Sequence, residues 1–366
     1  MMLGTCTSLD YRHLQRMSDE RGILQFACGS TPDPRSGYTV DDNARALIVA
    51  LQSDSDWEDR REFALRYARF LYQAQRSGGD WCNWFLPGRG FVDDIDSNDS
   101  IGRAFLACSL GVSADEDIDE ELRLICRQMI VKALPLVKGL KYPRSLAYAL
   151  IGCCKLVDNF PEYSQQSFEL AKWAGEKLTN LYFRNRVAHW RWFEDRLTYC
   201  NAILPHALFE YYSLKSDSKI LNAAQNSLRF LSDRLFERGY LSVVGNRGWW
   251  VRGGEIPLFD QQPVNAGSLV MACRQAYAVT GRNEFRETGE LAYAWYSGKN
   301  ILEMPLYNQE TGGCHDGLNS DGLNANQGAE AFLSLILSTQ AMSNNKQDKY
   351  KSDENTSSPE KSFPAS

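Results

Sequence analysis

Apolar residues recur along this chain at every third or fourth position, while the strict alternation of a half-buried strand is scarce. The pattern predicts helices over roughly 8–23, 40–53, 57–76, 99–111, 117–137, 143–157, 161–181, 200–215, 217–236, 264–280, 283–299 and 326–340. They fall into two sets. Helices starting near 40, 99, 143, 200, 264 and 326 are rich in Ala, Gly, Ser and Cys, as in "ARALIVAL", "SLAYALIGCC" and "NAGSLVMAC". Small side chains let helices approach closely, which suits an inner ring. The alternate helices carry a charged face, as in "DEELRLICRQMIVKAL", which suits an outer ring with one side in water. A helix pair recurring at intervals of roughly 45–65 residues marks an array of hairpins. Six inner helices close such an array into an all-α (α/α)6 toroid, whereas an open solenoid has shorter and more uniform repeats. The expected organisation is one barrel domain over 1–342 and a polar, disordered tail over 343–366.

Four long loops, roughly 77–98, 182–199, 237–263 and 301–325, precede inner helices and should emerge at the same end of the barrel, with a short strand in "GYLSVVG". Long loops in a compact domain are usually functional. At the helix starts, "GYTVDDNARALIVAL" at 37–51 is echoed by "SNDSIGRAFLACSL" at 97–110, so that Asp99 and Arg103 stand where Asp41 and Arg45 stand. Asp before a helix caps its free N–H groups and complements its dipole. The same position lowers its pKa, which suits a base or a sugar ligand. Asp41, Asp42 and Asp99 are therefore expected to cap inner helices while aiming ionised carboxylates at the barrel mouth. "DDIDSND" at 93–99 follows an EF-hand spacing from Asp94, but Asp99 replaces the turn glycine and Phe105 the terminal Glu, so no metal site is assigned.

Six tryptophans lie in the loops as close sets: Trp81 and Trp84, Trp190 and Trp192, Trp249 and Trp250. Indole faces stack on sugar rings, and equally they plug the end of a barrel; some of them should line a cleft. Glu194, in "HWRWFEDR", has aromatic neighbours that would raise its pKa toward general-acid duty, while Arg191 and Arg196 pull the other way. Asp195 is its nearest rival. "FDQQPVNAG" supplies Asp260 and Gln261, "GGCHDGLN" supplies His315 and Asp316, and Asn326 opens the last helix.

The combination of "GYTVDDNARAL", "WFEDRLTYCNAILPHALFEY" and "GGCHDGLN…NANQGAEAFLS" resembles the six-hairpin glycosidase superfamily, and further resembles helical domains of proteins labelled glycosyltransferases. The resemblance implies an oligosaccharide or glycoconjugate substrate and glycosidic-bond cleavage by paired carboxylates. The inverting route is preferred, with Glu194 or Asp195 as acid and Asp41, Asp42, Asp99 or Asp316 as base. The tryptophans would form subsites. In a phosphorolytic variant, Arg45, Arg103 and Arg252 would hold phosphate. The alternative is a catalytically silent sugar-binding companion of a glycosyltransferase partner. Related barrels include epimerases, which rely on paired histidines; this chain has four scattered ones.

Composition narrows the rest. A length of 366 residues with 43% hydrophobic and 23% charged residues marks an ordinary globular protein, and a net charge of −6 argues against nucleic acid as partner. No run is long and apolar enough for a membrane span, and the first twenty residues do not read as a secretory leader. Five of the ten cysteines sit in apolar helical patterns and none forms a paired C-x-x-C framework, so a reduced, cytoplasmic protein without cofactor is expected. Serine-hydrolase elbows and P-loops are missing from the sequence.

Overall fold

The computed structural model describes residues 9–53, 57–114 and 119–356, with the side chains of 344–356 outside that description. Of the tail expected to be disordered over 343–366, residues 357–366 lie outside it, and the backbone of 343–356 continues the last helix. The helices in chain order are α1 (Arg12–Met17), α2 (Val40–Gln52), α3 (Arg60–Ala74), α4 (Asn98–Val112), α5 (Glu120–Ala133), α6 (Pro143–Asn159), α7 (Ser164–Asn185), α8 (Ile203–Lys215), α9 (Ser218–Leu235), α10 (Pro263–Thr280), α11 (Asn283–Tyr293) and α12 (Ala329–Thr356). The even-numbered helices form a closed inner ring in which α2 packs on α4, α4 on α6, α6 on α8, α8 on α10, α10 on α12, and α12 back on α2. Outside it α3, α5, α7, α9 and α11 each lie against the inner helix that precedes them, and α1 lies against α12. The sixth hairpin thus joins the two ends of the folded chain. The fold is the all-α (α/α)6 toroid.

The small-residue inner set is small for a reason the packing shows. A Cβ on Gly102 of α4 would sit 2.6 Å from the Ser145 carbonyl oxygen of α6, and one on Gly152 of α6 would meet Phe105 and Ser109 of α4 at 2.8 Å. Most inner-helix residues are buried, including Cys108, Cys153, Cys154 and Cys273, and no disulfide forms among the described cysteines. The first helix is much shorter than the pattern predicts. α1 stops at Met17 because Asp19 Oδ1 accepts the N–H groups of Arg21 and Gly22, an Asx-type turn that closes the helix before 23.

Strands are short and confined to loops: β1 (Ala27–Cys28), β2 (Thr31–Pro32), β3 (Tyr38–Thr39), β4 (Trp84–Leu86), β5 (Gly90–Val92), β6 (Arg196–Leu197), β7 (Trp250–Val251), β8 (Gly317–Asn319) and β9 (Gly322–Asn324). β1 pairs with β2, β6 with β7 and β8 with β9, and β3–β4–β5 form one antiparallel sheet, with Tyr38 opposite Phe85. "GYLSVVG" forms no strand; its Leu241, Val243 and Val244 are instead buried as irregular chain. No helix among the described residues is long and apolar enough to cross a membrane.

Candidate active site

The loops before the inner helices surround a cavity of about 570 Å³ at one end of the ring. Its acidic lining is Asp41, Asp42, Asp99, Asp260, Asp316 and Glu330; among the described residues its arginines are Arg45 and Arg103. The floor is set by the two echoed motifs, and local structure explains how. Gly37 holds φ 72°, and a Cβ there would lie 2.3 Å from the Phe85 carbonyl oxygen, so only glycine lets β3 reach β4. Thr39 then caps α2, accepting the Asp42 N–H at 3.1 Å while its hydroxyl donates to Asp42 Oδ2 at 2.7 Å. Ser97 caps α4 in the same way, accepting the Ser100 N–H. The capping residues are therefore Thr39 and Ser97, not the aspartates expected from sequence. This frees Asp41 and Asp99 for the cavity.

The two motifs interlock rather than act separately. Arg45 pairs with Asp42 at 2.9 Å and with Glu330 at 3.3 Å, whereas Arg103 reaches back from the second motif to Asp41 at 2.8 Å. Asp99 accepts the Tyr199 hydroxyl. Asn83 donates to Asp41 Oδ2 at 3.3 Å and anchors the start of α2 through its own carbonyl.

These surroundings drive the carboxyl groups apart. Burial alone would raise Asp41, but Arg103 and Arg45 outweigh it and hold its pKa below the usual range. Asp42 goes the other way: burial, with Glu330 and Asp41 adding repulsion, pushes it up to about 6 despite Arg45 and Thr39. Asp316 is also raised, by burial and by the charge of Glu330, while the Gly328 N–H donated to its Oδ1 at 2.6 Å and His315 offset part of this. Asp260 pairs with Arg247 at 3.2 Å and leaves its Oδ1 buried without a hydrogen-bond partner.

Of the remaining sequence candidates, Trp249 and Gln261 line the cavity. The Gln261 amide is already engaged, donating to Ser242 and Leu258 and accepting from Trp295. Trp249 holds φ 52°, uncommon for a bulky residue and a mark of local strain. Its neighbour Trp250 is buried against Trp190 and Phe230. Trp81, Trp190 and Trp192 are buried too, and Trp84 donates to the Ser36 carbonyl beside the β3–β4 pair. These five pack the loops rather than line the cavity, because their rings supply the loops' own core.

Glu194 does not line the cavity either. The buried Arg144 takes its carboxylate at 2.9 Å and also donates to the Tyr199 carbonyl and to Asn201. Its aromatic neighbours face away into the core, so the desolvated setting expected from sequence is replaced by an ion pair. Asp195 is exposed and held below the usual range by Arg196. Arg252 bonds to the Asn185 carbonyl outside the cavity. His315 stands beside Asp316 without lining the cavity, and Asn326 accepts the Gly29 N–H, tying the last loop to the first.

Tyr199, Asn83, Phe26 and Glu330 were not legible as site residues. Glu330 had a usable signal: it occupies the first turn of the sixth inner helix, as Asp42 and Asp99 do in the first and second. Phe26, 54% exposed at the cavity edge, comes from the loop before α2, whose predicted length was absorbed into an overlong first helix.

Searches by structure return carbohydrate-processing enzymes of this same architecture. Cellobiose 2-epimerase from Bacillus thermoamylovorans B4167 aligns with a TM-score of 0.71 at 10% identity, over 93% of this chain and 96% of that one. Cellobiose 2-epimerase from Spirochaeta thermophila DSM 6192 aligns at 0.70 and 12% identity, over 92% and 93%. The GH76 α-mannanase BT2949 of Bacteroides thetaiotaomicron aligns at 0.62 and 11% identity, over 93% and 94%. No family model and no curated protein matches the sequence. At such identities the likeness establishes the fold alone, the (α/α)6 toroid.

Proposed function

We infer that the protein is a carbohydrate-active enzyme that hydrolyses a glycosidic bond with inversion. The observation that carries this reading is a cavity whose carboxyl groups are driven apart, Asp41 toward the ionised form and Asp316 toward the protonated one. That division assigns acid and base in carboxylate chemistry. Asp316 gives its proton to the glycosidic oxygen as the bond to the anomeric carbon breaks, the bonding pair staying on that oxygen. A water forms the new bond to the anomeric carbon from the opposite face and passes its proton to Asp41. Asp99 with Tyr199, and the unmatched Asp260 Oδ1, bind sugar hydroxyls, and Trp249 offers a stacking face.

Two features favour hydrolysis over its relatives. None of the histidines lines the cavity, which disfavours imidazole-based proton transfer of the epimerase kind. Both cavity arginines are committed to carboxylates, which disfavours phosphate as the attacking group. The test is incubation with a panel of oligosaccharides, with and without phosphate, followed by product and anomer analysis. Shortened products of inverted configuration without phosphate are expected. A product of unchanged length, strict phosphate dependence, or binding without turnover would each overturn the reading.

A further inference from the structure

Among the described residues, the third inner helix, α6, contributes nothing to the lining of the cavity at the mouth of the ring. Its first turn also differs in charge from those of α2, α4 and α12. Where they place Asp41, Asp42, Asp99 and Glu330, it places Arg144, only 5% exposed. A cation at a helix N-terminus opposes the helix dipole, and burying it adds a desolvation cost. Such a placement persists only where other contacts offset it.

Arg144 has one such contact on each nitrogen. Nε donates to the Tyr199 carbonyl at 2.6 Å, Nη1 to Glu194 Oε2 at 2.9 Å and Nη2 to Asn201 Oδ1 at 2.9 Å. The guanidinium also lies 5.0 Å from the centre of the Tyr199 ring, within range of a cation–π contact. Asn201 closes the turn by accepting the Thr198 N–H and donating to the Thr198 carbonyl. Cys200 holds a strained φ of 43° and donates its N–H to Oδ1 of the buried Asn265 at 2.8 Å. The turn is thus held from α6 and α10 at once. It carries Tyr199, which lines the mouth, where its hydroxyl donates to Asp99 and its ring lies 6.1 Å from that of Trp249.

We propose that Arg144, its fork held by Glu194, is a positioning residue: it sets Tyr199 against Asp99 and Trp249 and so shapes the wall that binds sugar hydroxyls. This role rests on the mouth being the substrate site proposed above. Two variants and two readouts test it. Arg144→Lys keeps a cation opposite Glu194, so the fold is retained, but one ammonium replaces the planar fork. Tyr199 should be released. With isotope-labelled tyrosine ζ carbons, the NMR resonance missing from Tyr199→Phe should move in Arg144→Lys. On an oligosaccharide that the wild type cleaves, KM should rise about tenfold with kcat within about threefold, the mark of lost ground-state binding. Glu194→Gln still offers an amide oxygen to Nη1, so it should be milder in both readouts, with kcat kept. A lower melting temperature in Arg144→Lys with the Tyr199 resonance and KM unchanged would reduce the fork to a structural contact and overturn the proposal. So would a kcat loss of about 10²-fold in Glu194→Gln, which would make Glu194 the proton donor. If the wild type cleaves no oligosaccharide, the hydrolytic reading fails by itself, and movement or constancy of the Tyr199 resonance still upholds or overturns the positioning role.

Discussion

Two cavities on one ring share Arg45 and Arg103, yet the mouth is lined by six carboxylates and the lower one largely by apolar side chains of helix interiors, such as Ile48, Leu106, Ile151 and Leu337, with a single carboxylate, Glu210. The difference follows from where along each helix the lining comes. The mouth takes the first turns and the loops before them, where helix dipoles converge and favour negative charge. Asp41, Asp42, Asp99 and Glu330 all occupy such first turns. The lower cavity takes side chains from helix interiors, where close packing selects apolar residues and leaves few places for charge. Clustered acidity in this ring is therefore a property of helix ends.

The sharpest way to break that division is to neutralise the proton donor proposed above. Asp316→Asn should lower kcat by about 10²- to 10⁴-fold with substrate binding largely kept. The acid must be protonated, so the wild-type rate should fall as pH rises through the elevated pKa of Asp316. The base must be ionised, so the acidic limb should lie below the usual carboxylate range, where Asp41 is held. Residual activity in Asp316→Asn should lose the upper limb only. A pH–rate profile in which the upper limb survives would move the acid role to another carboxyl, with Asp42 the first alternative.

Next comes the end-plug beneath the loops. Trp250 is 7% exposed, with its ring 4.8 Å from Trp190 and its N–H on the Gly254 carbonyl at 2.9 Å. Trp250→Ala should cost about 3–5 kcal/mol of stability in urea unfolding. A loss below about 1 kcal/mol would mean the plug is not part of the cooperative core. The paired tryptophans show the limit of sequence reading here: "WW" announces two large aromatics in a loop, but neither spacing nor composition says which ring turns inward.

The ring itself was far more legible. Small residues at helical spacing, set against charged alternates, marked the inner helices before any contact was known, because close approach leaves room for little else. Gly102 is the α4 glycine that meets backbone of a neighbouring inner helix, and Gly102→Ala should lower stability by about 1–3 kcal/mol as α4 and α6 are forced apart. The carboxylates were legible as a group, since Asp41, Asp42, Asp99, Asp260 and Asp316 do line one cavity. Their individual roles were not, because the partners that set them come from distant repeats. Arg103 lies 62 positions from Asp41, and Arg144 lies 50 from the Glu194 it immobilises. Long-range ion pairs of this kind leave no local pattern.

The smallest expected effect falls on the rim. Trp249 is adjacent to Trp250 in sequence but lines the mouth, only partly buried, in a backbone conformation that costs energy to hold. Trp249→Ala removes a stacking face of about 0.5–1.5 kcal/mol, so KM should rise about 2- to 10-fold with kcat nearly unchanged. Alanine keeps the strained φ, so the melting temperature should barely move, in contrast to Trp250→Ala. The adjacent pair thus separates binding from stability within two residues. If Trp249→Ala instead lowers kcat with KM unchanged, the indole acts on the transition state, and its strained backbone serves the reaction rather than substrate capture.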